Sequence, residues 1–280
     1  MKVDAPRVKS PERRAAWLAA NIASHGLVRS RFRAAPDEAG VMGLVLRLAP
    51  PAWVAGSVGI ADAMMLYDAA FCLRPRLVAE IGTAAGVSAC ALLLALRDAG
   101  VPLRREDGLT ALHTFDAQER CYFDASRAIG AAIAEMTPDL AHGATVHAGC
   151  TAADAGATLP ARSVELAFID ADHRHPMPTA DLLALAPALA PGAWVVLHDL
   201  ALHESAGGRE YGPIALYDAW PFEKFRGDRA ANGKPGCANV GLIRLPDRPL
   251  VASDVRGALE RAWEVRRGSP EARAVEGLAA

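Results

Sequence analysis

The sequence predicts an α/β fold with a doubly wound, mostly parallel sheet. Short apolar runs alternate with helical patterns through the middle of the chain. One run, Leu77–Ile81, passes through the acid Glu80 into a glycine loop, Gly82 to Gly86, and then directly into an apolar helical pattern. Polar residues, acids above all, follow the runs, where an open parallel sheet binds its ligands.

The elements follow in order. Residues 11–34 read as a helix with Arg13 and Arg14 on one side and Trp17, Leu18 and Ile22 on another, and Pro50-Pro51 ends this arm. Gly59 to Cys72 reads as a helix leading into the first strand. Strands are expected at Leu77–Ile81, Leu112–Phe115, Thr145–His147, Leu166–Ile169 and Trp194–Leu197, with helices near 87–98, 118–135, 151–156 and 178–189. Pro191-Gly192 marks a turn before the fifth strand. Glu204 to Tyr211 is polar and reads as a loop, and Pro213 to Trp220 as a helix. Phe222–Phe225 and Asn239–Leu245 read as two strands around the loop Gly227–Cys237, adding an antiparallel strand to the sheet. Residues 251–267 read as one charged helix whose Arg256, Arg261, Arg266 and Arg267 are balanced by Glu260 and Glu264. The expected domains are an N-terminal helical arm (1–52), a main α/β domain (53–250, with 201–237 as a lid or insertion) and a C-terminal helix (251–280).

Composition narrows the function. The 280 residues are 52% hydrophobic, enough for a substantial core, and the net charge of -2 gives no general pull toward nucleic acid or anionic membrane. The five cysteines include no C-x-x-C pair, which fits a reducing cytosol and neither a zinc knuckle nor a dithiol site. No segment reads as a signal sequence or a membrane span.

The glycine loop excludes two familiar sites. Ala84 stands where the dinucleotide fingerprint needs its second glycine, and no G-K-[ST] follows for a phosphate-cradling loop. Glu80 suits a ligand with positive charge or hydroxyl and amine donors. The other strand ends supply Asp116 and Gln118 after the second, Gly149 and Cys150 after the third, Asp170, Asp172 and His173 after the fourth, and His198 and Asp199 after the fifth. Asp116 suits the two hydroxyls of a ribose or the cap of a helix starting near Gln118. Cys150 reads as packing rather than as a nucleophile. Asp170, His198 and Asp199 can converge on a divalent ion such as Mg²⁺ or Mn²⁺, which would lower the pKa of a bound oxygen. His173 and Asp172 are the candidate general bases, against the plainer reading of 173–175 as a solvated loop. His113, His142 and His147 read as single surface or strand-edge histidines. Tyr211, Tyr217, Trp220 and Phe222 read as core sooner than as a substrate platform, and His203 and Glu204 as pocket lining or loop.

The stretch E-I-G-T-x-x-G-V-S at 80–88 resembles motif I of the class I S-adenosylmethionine-dependent methyltransferases. The F-I-D-x-D-H loop at 168–173 and the His198-Asp199 strand end resemble the bacterial small-molecule O-methyltransferases, the metal-assisted catechol and antibiotic-sugar branch. The resemblance covers roughly residues 55–245 and implies a Rossmann-like seven-stranded sheet closed by an antiparallel last strand. It implies S-adenosyl-L-methionine bound by Glu80, Gly82, Thr83, Gly86, Ser88, Asp116, Gln118, Gly149, Cys150 and Asp170. For Asp116 it favours the ribose role. It places a divalent cation at Asp170, His198 and Asp199, and a base at His173, three residues past the acid. The chain departs from these relatives at His198, where they carry an acid. The expected activity is methyl transfer to a small-molecule hydroxyl in the cytoplasm, by an enzyme of a kind that commonly forms homodimers, with Trp17 in the arm as a contact. The alternatives are a metal-independent N- or O-methyltransferase and a non-catalytic cofactor-binding subunit. No N/D-P-P-Y motif of base amino-group methylation occurs.

Overall fold

The computed structural model describes residue 44 and residues 47–202, 211–226 and 239–279. The expected helix at 11–34, the loop at 204–210, His203 and the whole of the expected loop Gly227–Cys237 lie outside them.

Chain order runs α1 (Ile60–Leu73), β1 (Val78–Ile81), α2 (Val87–Asp98), β2 (Leu112–Asp116), β3 (Arg120–Cys121), β4 (Asp124–Ala128), α3 (Ala131–Met136), β5 (Ala144–Ala148), α4 (Ala152–Thr158), β6 (Val164–Ile169), α5 (Met177–Leu185), β7 (Leu189–Leu197), α6 (Gly212–Ala219), β8 (Lys224–Arg226), β9 (Gly241–Arg244), α7 (Arg256–Leu259) and α8 (Pro270–Ala279). Seven strands form one sheet in the order β5-β2-β1-β6-β7-β9-β8. The first five in that order are parallel, and β9 runs antiparallel to both β7 and β8. This is the doubly wound sheet with an antiparallel last strand that the sequence implied. The chain moves outward from β1 through β2 to β5, then returns to the other side of β1 with β6. The loops after β1 and β6 therefore part at the switch point where such sheets bind ligands.

Alternating strand residues enter two cores, one on each face. Val78, Leu112, Leu166, Phe168 and Val196 pack under α1 and α2. Ala79, Ile81, Phe115, Val164, Ala167, Ile169, Val195 and Leu197 pack under α4, α5 and α6. A strand buried on both faces must be apolar at consecutive positions, which explains runs such as VVL at 195–197. α2 is buried from Val87 to Leu96 because it lies centrally on its face. Each fully buried Leu-sized side chain stabilises by about 1.5–3 kcal/mol.

Four expectations need correction. Residues 118–135 do not form one helix: a two-stranded hairpin, β3–β4, precedes the short α3. The Asp124 carboxylate takes the N–H and Oγ of Ser126 (3.0 and 2.6 Å), a local bond that competes with helix. Gly130 then breaks the run at φ 75°. The Pro191-Gly192 turn lies inside β7, where the pairing with β6 slips between Val164 and Leu166. Residues 251–267 form a 3₁₀ turn and the short α7, not one helix, and α8 follows after Gly268 at φ 80°. There Glu264 turns inward to accept the His175 N–H at 2.8 Å. Finally, His113 and His147 are not single surface side chains. They pair ring to ring across β2 and β5 at 3.0 Å, with His147 stacked on Phe115.

Tyr217 and Trp220 are core residues, as expected. The four described cysteines, Cys72, Cys90, Cys121 and Cys150, are free thiols. No helix among the described residues is long and apolar enough to cross a membrane.

Candidate active site

The loop after β1 is fixed by its backbone. Gly82 has φ 100°, and a Cβ there would lie 2.2 Å from the backbone oxygen of Asp170 in the loop after β6. Only glycine lets the two loops pass that closely. Gly86 (φ 92°) caps α2, where a Cβ would meet Ile133 at 2.6 Å. The carbonyls of Ala84 and Ala85 accept the N–H groups of Gly130 and Ala132, both at 2.9 Å, so α3 holds the loop from outside.

Beneath the loop lies a buried polar network. Glu80 is fully buried and accepts from the Thr114 hydroxyl, which also meets Thr83 Oγ1. Its Oε1 has no hydrogen-bond partner among the described residues. Burial pushes the Glu80 carboxyl up to about 7, against the pull of the Ser88 and Thr114 hydroxyls. Such a group favours a cationic or hydrogen-bond-donating neighbour over a phosphate.

Asp116, at the end of β2, accepts the Ala84 N–H on Oδ2 and the Gln118 N–H on Oδ1, each at 2.9 Å. It ties the glycine loop to the neighbouring strand end and caps no helix. Gly149 and Cys150 join the same corner, their N–H groups reaching the carbonyls of Gln118 (3.2 Å) and Asp116 (2.9 Å). The Gln118 side chain is exposed.

A second group forms across β6 and β7. Their register pairs Ile169 with Leu197, so Asp170 and His198 emerge side by side. His198 Nδ1 lies 3.0 Å from Asp170 Oδ1 and 3.3 Å from Asp199 Oδ1. His173 Nε2 lies 3.0 Å from Asp170 Oδ1 and 3.5 Å from Asp199 Oδ2. Asp199 holds a left-handed backbone at φ 58°, a conformation uncommon outside glycine and most tolerated by Asn and Asp. Asn239 Nδ2 donates to its Oδ1 at 2.8 Å. On the far side of His198, Nε2 faces Asp62 Oδ2 at 3.3 Å.

The charges reinforce one another. Burial alone would raise Asp170, but His198 and His173 outweigh it and hold the carboxyl at about 2. Burial alone would lower His173, but the Asp170 hydrogen bond and the Asp170 and Asp199 charges raise it. His198 is carried well above the ordinary histidine value by Asp170 and Asp62, in spite of its burial. Ligand atoms from Asp170, His173, His198 and Asp199 all lie within 4.8 Å of one another, so two carboxylates and two imidazoles meet at a point that could hold a divalent ion. The donor chemistry fits such an ion.

Both groups border one cavity of about 430 Å³. Gly82, Thr83, Gly86, Ser88, Asp170, His173, His198 and Asp199 line it, all of them expected from sequence. Glu80 lies beneath the loop, and Asp116, Gln118, Gly149 and Cys150 stand at the adjoining strand ends. Asp172 faces Arg174 instead, in a two-pronged ion pair with contacts of 2.6–3.1 Å that holds its carboxyl below the usual range. His173 is thus the expected base that the structure brings to the cavity.

Three features were missed. Asp62 sits in α1 and is buried beside His198; the signal was an acid in the otherwise apolar run IADAMM. Asn239 precedes β9 and gave no signal. The rim is formed by Gly56–Val58 and Tyr122, whose hydroxyl donates to the Gly56 carbonyl at 3.0 Å. Trp53 braces this rim, lying under the Arg127 guanidinium at 4.7 Å and donating to Glu135 at 2.9 Å.

A family model described as a methyltransferase domain matches residues 79–200. Among solved structures, "a putative O-methyltransferase" from Klebsiella pneumoniae superposes with a TM-score of 0.50 at 17% identity, over 74% of this chain and 88% of that one. The O-methyltransferase TomG from Streptomyces achromogenes, involved in tomaymycin synthesis and solved with SAM, gives 0.49 at 20% identity, over 86% and 92%. Cofactor-bound Rv0187 from MTB gives 0.49 at 18% identity, over 75% and 89%. At such identities the likeness is one of fold. No curated protein sequence matches the chain.

Proposed function

We propose that the chain, whose residues 79–200 match a methyltransferase-domain model, transfers the methyl group of S-adenosylmethionine to a hydroxyl of a small-molecule acceptor. The observation that carries this reading is the single cavity bordered by the glycine loop on one side and by Asp170, His173, His198 and Asp199 on the other. The Klebsiella pneumoniae protein's description agrees with an oxygen acceptor.

Bound S-adenosylmethionine supplies an electrophilic methyl on a sulfonium. Gly82 to Ser88 line the cavity at that end, Glu80, buried beneath the loop, is the acid proposed for the ligand's donors, and Asp116, with Gln118, Gly149 and Cys150 around it, is proposed for the nucleoside side. Holding both reactants in one cavity supplies much of the acceleration. As the acceptor oxygen forms its bond to the methyl carbon and the carbon–sulfur bond breaks, the His173 imidazole, whose Nε2–H donates to Asp170 Oδ1 at 3.0 Å, takes the hydroxyl proton on its other ring nitrogen. The carboxylates of Asp170 and Asp199 beside it strengthen this base and hold the imidazolium that results. Asp170, His198 and Asp199 would hold a divalent ion, whose chemistry is to lower the pKa of the acceptor hydroxyl. The net charge of -2 favours a small acceptor over nucleic acid, and the free thiols suit a cytoplasmic enzyme. The arm at 1–52, with Trp17, is the proposed homodimer contact, and 251–280 the C-terminal unit of the domain plan.

The test is methyl transfer from labelled S-adenosylmethionine to a panel of hydroxylated small molecules, with S-adenosylhomocysteine affinity measured by calorimetry. Asp170→Ala and Asp199→Ala should each abolish transfer and leave the affinity within a few-fold. Absence of transfer by the wild-type chain to every member of the panel would overturn the reading, and full activity in both variants would remove Asp170 and Asp199 from its chemistry.

A further inference from the structure

The three expected ligands Asp170, His198 and Asp199 differ from an all-oxygen metal site at His198, and that position has a buried carboxylate behind it. His198 is hemmed in on both ring nitrogens: Nδ1 faces Asp170 Oδ1 and Asp199 Oδ1 at 3.0 and 3.3 Å, and Nε2 faces Asp62 Oδ2 at 3.3 Å. Something positive must lie between Nδ1 and these two carboxylate oxygens: a proton on Nδ1 in the ion-free site, or a divalent ion in its place. Asp62 is only 6% exposed, and its Oδ1 has no hydrogen-bond partner among the described residues. Burying a carboxylate in an apolar helix is costly unless it is paired, and the partner of Asp62 in the cavity wall is the imidazole. The Asn239 amide is farther from Nε2, at 3.5 Å, and gives one of its two hydrogens to Asp199 at 2.8 Å; its pull on Asp62 is weaker than that of His198.

A carboxylate that accepts the outer N–H of a histidine fixes the tautomer and presents the inner nitrogen's lone pair to a cation. Imidazole nitrogen suits zinc, cobalt and other borderline first-row ions, whereas Mg²⁺ is bound through oxygen and keeps its waters. We propose that Asp62 is a positioning residue that holds His198 with Nδ1 toward a divalent ion, and that this site selects a borderline ion such as Co²⁺ or Zn²⁺ over the harder Mg²⁺ and Mn²⁺. The proposal rests on the methyltransferase reading above and adds to it which class of ion the site takes.

The test uses the full chain, freed of metal by chelation and dialysis. CoCl₂, ZnCl₂, MnCl₂ and MgCl₂ are titrated separately by calorimetry, and the visible spectrum of the cobalt form is recorded. Co²⁺ and Zn²⁺ should bind at least about tenfold tighter than Mg²⁺ and Mn²⁺, following the ligand preferences of nitrogen. Asp62→Asn should weaken Co²⁺ binding by about 10- to 100-fold and shift the cobalt bands, with S-adenosylhomocysteine affinity unchanged. His198→Asp, which makes the donors at 170, 198 and 199 all oxygen, should narrow or reverse the preference over Mg²⁺. Mg²⁺ binding as tight as Co²⁺, or unchanged Co²⁺ affinity in Asp62→Asn, would overturn the proposal. A chain that binds S-adenosylhomocysteine and transfers methyl groups but binds no ion would overturn it too, leaving the methyltransferase reading intact. A chain that binds ions but neither S-adenosylhomocysteine nor a methyl acceptor would instead sink that reading. If Asp62→Asn does not fold, the wild-type ion ranking and His198→Asp decide the matter.

Discussion

The two sides of the cavity are built by different means. On the β1 side the backbone does the work: positive φ angles at Gly82, Ala84 and Gly86, carbonyls docked on α3, and a loop too close to its neighbour for any side chain at Gly82. On the β6–β7 side, side chains do it: Asp170, His173, His198 and Asp199 are held by one another and, from elsewhere in the chain, by Asp62 and Asn239. A backbone-built site tolerates almost no change of shape, and at Gly82 no side chain at all. A side-chain-built site can be re-equipped without altering the fold, so the same scaffold can vary its chemistry there.

The sharpest way to break the comparison is Gly82→Val. A Cβ there meets the Asp170 carbonyl at 2.2 Å in a backbone conformation that disfavours side chains. Strain and overpacking each cost about 1–3 kcal/mol, and a β-branched residue takes the upper end of both. Urea unfolding should show a loss of about 4 kcal/mol or more, with S-adenosylhomocysteine binding gone. A variant that folds with wild-type midpoint and affinity would show that the close approach of the loops is dispensable.

On the other side, His173→Gln should leave the fold and cofactor affinity in place and cut kcat by about 10²- to 10⁴-fold, the usual worth of a positioned base. The pH profile separates this from a packing effect. The carboxylates around His173 raise its pKa, so the wild-type rate should fall as pH drops through that raised value, and the variant should lose this limb. A variant that keeps the limb would remove His173 from the proton's path.

The two construction modes also explain what could be read from the sequence. The glycine loop is contiguous and its geometry dictates residue types, so residues 80–88 announced themselves. Asp170, His198 and Asp199 were legible because apolar runs end just before them and a parallel sheet brings strand ends together. Asp62 was not, because it meets His198 from 136 residues away, and its only local trace is an acid in an apolar helix. The hairpin at 120–128 was misread as helix because its alternation is short and its turn, Tyr122-Phe123, is aromatic where turns are usually polar. That error hid the rim contributed by Tyr122.

Beneath the backbone-built side, Glu80→Gln tests whether the buried carboxylate is a cost carried for ligand binding. Its folded value of about 7 lies above the ordinary 4.5, so the folded state holds the proton more tightly than the unfolded one. The stability tied to that proton is fully present below pH 4.5 and is lost as pH rises toward and past 7. The shift corresponds to about 3 kcal/mol. Without ligand, the wild-type Tm should fall between pH 5 and pH 8 relative to Glu80→Gln, whose curve should be flatter by up to that amount. Parallel curves would mean that Glu80 ionises in the fold as readily as in water.

The smallest effect is expected at the rim, where the comparison is most open. Tyr122 is 69% exposed, yet its hydroxyl bridges to the Gly56 carbonyl across the cavity mouth. It belongs to neither construction mode: one side-chain hydrogen bond joins two stretches of backbone. Tyr122→Phe removes that bond and keeps the ring's edge-on contact with Phe123. A neutral hydrogen bond is worth about 0.5–1.5 kcal/mol net, and at an exposed site the lower half of that range applies. If the bridge shapes the acceptor's entrance, the acceptor KM should rise about two- to threefold while kcat and S-adenosylhomocysteine affinity stay the same. A change in kcat with KM untouched would place Tyr122 with the reacting groups of the β6–β7 side, and a change in cofactor affinity alone would place it with the glycine loop.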